Sequence, residues 1–195
     1  MKELNSKRSI AYLLEALTVS IIIFGILYSS VPIIQKKVEE EIIKYSTQNV
    51  IDAIDNAITD ILSNPNEDVL VKLITEQSAR KNLKDKLIIF NTERIKYLFL
   101  LYKDPIRDKL RYIMDVFDKG VYLNEPFTPF NDVEDEIDLV KKVADTGRDA
   151  YLKHENNDII GITYYHPYVQ KGIVKIIVGI DFSFETLKEI ETIAL

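Results

Sequence analysis

Among its 195 residues the chain has no cysteine and no tryptophan. Without thiols, disulfides, thiolate zinc sites and cysteine nucleophiles are all excluded. Histidine is almost as scarce. His154 and His166 are the only two, too few for a histidine-based metal centre, and no metal site is expected. The six glycines are scattered and form neither a GxGxxG pattern nor a GxxxxGK loop, so no phosphate-cradling turn is encoded. Basic charge does not prevail: 25 Lys and Arg stand against 31 Asp and Glu, a net charge of -6. A nucleic-acid binder normally shows the opposite balance, so nucleic acid is not an expected partner. No Ser/His/Asp arrangement stands out, and the paired carboxylates lack a recognisable cleft. No catalytic residue and no cofactor are therefore assigned.

What the chain does have is a run of nineteen residues without a charge, Ala16 to Ile34 (ALTVSIIIFGILYSSVPII). As a helix it spans roughly 28 Å at ~1.5 Å per residue, close to the ~30 Å hydrocarbon core of a bilayer. A cleaved signal would need a shorter apolar centre and a small-x-small site, and Tyr28, Pro32, Ile33 and Ile34 offer none. The run is read as an uncleaved anchor, with Glu15 at its edge. Charge does not set its direction: Lys2, Lys7 and Arg8 on one side match Lys36, Lys37 and Lys44 on the other.

Beyond Pro32 the apolar residues recur at helical spacing: Val38, Ile42, Tyr45, Val50, Ile51, Ile54, Ile58, Ile61 and Leu62. This predicts a long amphipathic helix continuing the membrane span and ending at Ser63-Asn64-Pro65-Asn66. A second helical stretch, 68 to 90, is expected to break near Gln77 to Asn82. Strands then follow: Ile95 to Tyr102, Leu110 to Phe117, a short one over 149–153, Ile159 to Val169 and Ile173 to Phe182. A turn at Asp118-Lys119-Gly120, a PFTPF loop and an acidic helix over 132–144 separate the second strand from the third. Ser183 reads as the N-cap of a last helix. The fold class is α+β: a transmembrane helix running into a long helix packed on a five-stranded antiparallel sheet. The expected division is a cytoplasmic tail (1–9), a span (10–35), a sensor domain (36–190) and a C-terminal helix (184–195) leading toward a second span or output region outside this sequence.

The segments RIKYLFLLYKD, RYIMDVFDKG, PFTPF and ITYYHPYVQKGIVKIIVGIDFS, in that order behind a span, resemble single Cache domains. These are PAS-like sensors outside the membrane in bacterial histidine kinases of two-component systems, diguanylate cyclases and chemoreceptors. The resemblance implies a ligand-sensing input domain, single-pass in the cytoplasmic membrane with residues after 35 outside the cytoplasm. It implies a small organic acid or amino acid as ligand, the lipid bilayer as surroundings, and a homodimer through the membrane and juxtamembrane helices. Any kinase or cyclase activity would reside elsewhere.

The last hairpin allows a register argument. A three-residue loop Gln170-Lys171-Gly172 would set Val169 opposite Ile173. One face then carries Ile160, Ile162, Tyr164 and His166 with Val174, Ile176, Val178 and Ile180. The other carries Gly161, Thr163 and Tyr165 with Lys175, Ile177, Gly179 and Asp181, mixing small and polar residues suited to a ligand. Arg111 and Asp115, either side of Ile113, extend that face to the earlier hairpin. The candidate ligand-binding set is therefore Arg111, Asp115, Thr163, Tyr165 and Asp181. The resemblance strengthens Asp181, since Cache domains often carry a pocket acid late in the last strand. Structural alternatives stand beside each: Asp181 as a helix-capping acid, Arg111 with Asp115 as a surface pair, Thr163 and Tyr165 as ordinary sheet residues. His166 is expected to be a packing histidine. The acidic run 131–138 reads as a solvated helix start complementing its dipole.

Two readings from other classes remain. AYLLEALTVSIIIFGIL, with Glu15 and the later Pro32, resembles the start of type IV pilins, although Ile10 stands where their processing site would need a small residue. The third is a membrane-anchored interaction domain with no ligand.

Overall fold

A computed structural model describes the backbone of residues 2–116, 126–130, 134–154 and 159–194, and side chains within these from 17 to 192. The expected turn at Asp118-Lys119-Gly120, the residues Asn131 to Val133 and the side chain of Glu15 lie outside the described residues.

Helix α1 (Lys2–Thr59) is one continuous helix of 58 residues that passes through Pro32, roughly 87 Å long at ~1.5 Å per residue. Its apolar stretch is long enough to cross a membrane, and none of it is buried in the domain. Past the apolar stretch, the face turned to the domain carries Ile43, Thr47, Ile51, Ile54 and Ile58, and Ile61 continues it just beyond the helix end. The stripe expected from sequence began one step off that line. Val38 and Tyr45 lie outside, with Tyr45 85% exposed. Steps of four, four and three from Ile43 keep to the 3.6-residue period, whereas Tyr45 falls between its turns.

Helix α2 (Val69–Thr75) is capped by Asp68, which accepts from the N–H groups of Leu70 and Val71 at 3.0 and 3.2 Å. Helix α3 (Gln77–Leu87) follows after a break at Glu76, just ahead of the expected interval. Arg80 closes the break by donating to the carbonyls of Leu73 and Ile74. A short 3-10 turn (Ile88–Phe90) leads into the sheet. Its strands are β1 (Ile95–Asp104), β2 (Lys109–Asp115), β3 (Ala150–Lys153), β4 (Ile160–Gln170) and β5 (Ile173–Ser183), in spatial order β2-β1-β5-β4-β3. Every neighbouring pair is antiparallel. Helix α4 (Glu134–Thr146) precedes β3, and α5 (Phe184–Ala194) follows β5. This is the expected α+β architecture, a five-stranded antiparallel sheet with the long N-terminal helix packed on it.

The sheet is covered on both sides. On the first face Leu98, Leu100, Ile162, Tyr164, Ile176, Val178 and Ile180 pack against α1, α2, α3 and α5. On the second, Phe99, Leu101, Tyr112, Tyr165 and Ile177 pack with Phe130 and with Val140 and Val143 of α4. The PFTPF segment runs along β2 and covers its free edge, with Tyr112 N–H donating to Thr128 O at 3.0 Å and Phe130 N–H to Leu110 O at 3.0 Å.

The β4–β5 turn differs from the expected loop. It has two residues, Lys171 and Gly172, with φ of 53° and 76°. Two positive φ values make the primed turn that suits the twist of a hairpin. Gln170 therefore faces Ile173, and Val169 faces Val174. A two-residue loop alone would exchange the faces. A bulge between Tyr168 and Val169 shifts the register by one more residue, so that Tyr168 opposes Ile176 and Tyr164 opposes Ile180. The expected separation of faces therefore holds between Ile162 and Tyr168 and from Ile176 to Phe182. A second register shift between Ile160 and Ile162 turns Gly161 toward Leu187 and Phe184 of α5, on the first face rather than the expected second. Nearer the turn the separation also fails: Val174 packs against the second cluster, and Lys175 pairs with Asp68 at 2.6 Å.

His166 lies on the first face as expected, but as an ion-paired residue rather than a packing one. Its Nδ1 lies 2.7 Å from Asp149 Oδ1 and its Nε2 lies 3.3 Å from Asp55 Oδ2 of α1. Burial alone would lower its pKa. The hydrogen bonds to Asp149 and Asp55 outweigh burial and raise it from 6.5 to about 9. Lys44 also attracts Asp149, whose carboxyl is held low by His166 against the opposing effect of burial. A folded-state pKa above the unfolded one means that stability is fully present below pH 6.5 and is lost as pH rises through about 9. At ~1.4 kcal/mol per tenfold change in proton affinity, discounted for partial solvent access, the loss should be on the order of 2 kcal/mol. Chemical denaturation of the full chain in detergent at pH 6 and pH 9.5 measures it. His166→Gln should flatten the pH dependence over that window; an unchanged slope would refute the clamp.

Candidate ligand-binding site

Cross-strand partners in a sheet point to the same side, so the pairings define the second face row by row. Asp115, Phe99, Gly179, Tyr165 and Ala150 form one row across all five strands. Tyr97, Asp181, Thr163 and Leu152 form the next. Three of the expected site residues, Thr163, Tyr165 and Asp181, are thus brought together near the middle of the sheet, and all three are buried.

Asp181 Oδ1 accepts from Thr163 Oγ1 at 2.7 Å, and Thr163 Oγ1 lies 2.8 Å from His154 Nε2. A hydroxyl has one proton. Having given it to Asp181, Thr163 can only accept from His154, which places a hydrogen on Nε2. The result is a directed chain from the end of β3 through β4 to β5. One step along β4, the Tyr165 hydroxyl donates to Glu136 of α4 in a short contact. Glu136 is 4% exposed and lies on the same helical stripe as Val140 and Val143. The α5 cap is made by Ser183, whose Oγ accepts from the Thr186 N–H at 3.2 Å, so Asp181 is not the capping acid.

Arg111 and Asp115 are parted. The β1–β2 register shifts between Leu100 and Leu101, so Asp115 opposes Phe99 while Arg111 opposes Tyr102. Phe99 belongs to the second cluster and Tyr102 to the first. The bulge lets Ile113 and Met114 both face the first cluster, which leaves Asp115 on the site face and carries Arg111 to the opposite one. There Arg111 donates to Asp104 at 3.2 Å and to the carbonyl of Phe127 at 2.6 Å, pinning the PFTPF loop. It does not share a face with the other candidates.

The room expected from small residues is also corrected. A Cβ at Gly179 would lie 2.2 Å from the Phe99 ring, so the aromatic ring fills that space. Gly161 meets Leu187 and Phe184 of α5 in the same way. Two polar groups escaped the sequence reading, His154 and Glu136. Glu136 left a visible signal, an acid on the apolar stripe of α4. His154 left only its alternation with Leu152, which means nothing until β3 is paired with β4.

The two faces meet through β3. His154 reaches Thr163 on the second face, while the preceding Lys153 points to the first. Lys153 forms salt bridges with Glu39 of α1 and, at 3.2 Å, with Glu191 of α5. Lys153, the last residue of β3, and His154, which follows it, therefore touch a two-helix ion junction on one side and the polar chain on the other.

No family model matches the chain, and no curated protein matches it. Among solved structures, the sensory domain of the Campylobacter jejuni chemoreceptor Tlp3 with isoleucine bound is similar at 15% identity and a TM-score of 0.44, over 84% of this chain and 63% of that one. The same domain with L-norvaline gives 16% and 0.47, over 84% and 62%. A methyl-accepting chemotaxis protein gives 13% and 0.39, over 71% and 93%. The chain thus spans less than two thirds of the Tlp3 domains it resembles.

Proposed function

We propose that this chain is the extracytoplasmic input unit of a transmembrane signalling protein, binding a small molecule on the second face of its sheet and passing the event to α1. The observation that carries this reading is the back-to-back placement of His154 and Lys153. A ligand that draws Asp181 or Thr163 toward itself must reset the hydrogen bond from His154. Any movement of His154 is shared by Lys153 through the backbone, and Lys153 holds α1 and α5 at the end of the domain nearest the span. Such a ligand shifts the packing of the helices only by its differential affinity for the two arrangements.

With Arg111 on the other face, the described polar groups of the site are Asp115, Glu136, His154, Thr163, Tyr165 and Asp181. They suit an ammonium group better than a carboxylate, which favours an amino acid over a bare organic acid. The exposed apolar residues Val38 and Tyr45, on the outer side of α1 beyond the apolar stretch, support a homodimer through the membrane and juxtamembrane helices. The span would place residues before 10 in the cytoplasm and the domain outside it.

Lys153→Met separates binding from transmission. A screen of the L-amino acids and of short carboxylates by thermal shift, on the full chain in detergent, supplies a hit. Hydrogen exchange of residues 36–50 and 184–192 is then compared with and without the hit. In the parent chain the hit should change exchange in both segments. In Lys153→Met the thermal shift should remain and the exchange change should fall at least several-fold. An exchange change of full size in the variant would remove the junction from the route.

A further inference from the structure

A cavity lies beside the sheet, and its lining includes none of the polar chain from His154 to Asp181. It is a groove of about 800 Å³ between the first turns of α1 beyond the span and the corner joining α4 to β3. Four cations line it: Lys36 and Lys44 from α1, and Lys142 and Arg148 from the corner. All four are exposed, and none forms a salt bridge with a described residue. Three acids share the lining, Glu40, Glu41 and Asp149. Asp149 is already engaged by His166. Four positive groups thus face two uncommitted acids, in a chain whose net charge is -6.

Position adds a second argument. Lys36 is the second residue past Ile34, the last apolar residue of the span, so it lies ~3 Å beyond it along the helix axis. Headgroups occupy several ångströms on each side of the hydrocarbon core, about 5–8 Å. The groove therefore opens at headgroup depth if α1 spans the bilayer, and Lys44 stands ~12 Å further out. The guanidinium of Arg148 supplies a planar fork and the lysines supply point charges, a combination suited to a phosphate.

We propose that this groove binds a phosphate-bearing anion, held between α1 and the α4–β3 corner by Lys36, Lys44, Lys142 and Arg148. Its occupant bridges α1 to the helix that roofs the sheet site, and so stiffens the contact between the span and the domain. Both a lipid headgroup and a free phosphate carry the required chemistry. Anion binding here does not require α1 to cross a membrane, nor a ligand at Asp181.

The test uses the full chain in neutral detergent at 0.15 M NaCl. Dihexanoyl-phosphatidylglycerol, inorganic phosphate and dihexanoyl-phosphatidylcholine are titrated, with binding read by thermal shift and by native mass spectrometry. Lys142→Gln/Arg148→Gln is the comparison, because both residues are exposed and neither belongs to the apolar stretch of α1 or to the polar groups of the sheet site. Saturable binding of phosphatidylglycerol, weakened at least tenfold in the double variant and stronger than that of phosphatidylcholine, supports the proposal with a lipid source. The same weakening for inorganic phosphate supports a free anion. Binding of neither anion, or equal binding by the parent and the double variant, overturns it.

Discussion

Asp181→Ala is expected to abolish the stabilisation that a bound ligand gives this chain. A ligand at a hundred times its Kd stabilises the folded state by ~2.7 kcal/mol. For a chain of this size each kcal/mol moves Tm by about 2–4 °C, so the parent should rise by roughly 5–10 °C with its hit from the amino-acid and carboxylate screen. Asp181 is buried and accepts the hydrogen bond of the Thr163 hydroxyl, so its carboxyl fixes the direction of the His154–Thr163 chain. Truncation removes that acceptor and leaves the buried Thr163 hydroxyl without it. The cost to the unliganded fold should be about 1–3 kcal/mol, as for a lost hydrogen bond to a charged group. Asp181→Asn keeps the shape and should fold with a smaller penalty, yet it should also fail to respond. A ligand-induced shift of equal size in both variants would show that the site lies elsewhere.

Gly179→Ala should be the most damaging small substitution in the sheet. The added methyl group would lie 2.2 Å from the Phe99 ring, inside any allowed contact. Phe99 has nowhere to withdraw. It packs against Tyr112, Phe130 and Tyr165 with ring centroids 5.9, 6.3 and 6.2 Å away. Overpacking of this kind costs about 3 kcal/mol, which corresponds to a fall in Tm of roughly 6–12 °C. The loss should be partly undone by trimming the ring. Phe99→Leu in the Gly179→Ala background should be less destabilising than the sum of the two single changes, a coupling on the order of 1–2 kcal/mol. Urea denaturation of the four species measures it. Strict additivity would mean that the methyl group is accommodated by backbone movement rather than by the ring.

Much of the fold was legible because it is written in local patterns. Ile95 to Tyr102 announces a strand covered on both faces, and Ser183 announces the cap of α5. The alternation through Thr163, Tyr165 and Asp181 was also sufficient to put those three on one face. What escaped depends on pairings between distant segments. The bulge opposite Leu100 and Leu101 moves Arg111 to the other face, and nothing in LRYIMDVF marks it. The hairpin illustrates the same point differently: Lys171-Gly172 forms a shorter turn than expected, and the bulge at Tyr168 cancels its effect on the faces. Along α1, Tyr45 fits a loose helical spacing, but only docking selects Ile43 and Thr47 as the buried positions. His154 becomes a candidate only when β3 is seen beside β4, and Glu136 only when α4 is seen above Tyr165.

The absence of cysteine gives a clean route to the central claim, that occupancy of the sheet site changes how α1 sits against α5. Two cysteines introduced as Glu41→Cys and Thr192→Cys, both exposed positions, can be spin-labelled without removing any native thiol. Double electron–electron resonance on the full chain in lipid nanodiscs then reports the separation of the two helices near the membrane. Saturation with the thermal-shift hit should move the distance distribution, and Asp181→Ala should leave it where the unliganded chain has it. An unchanged distribution at a concentration that saturates the thermal shift would contradict the claim.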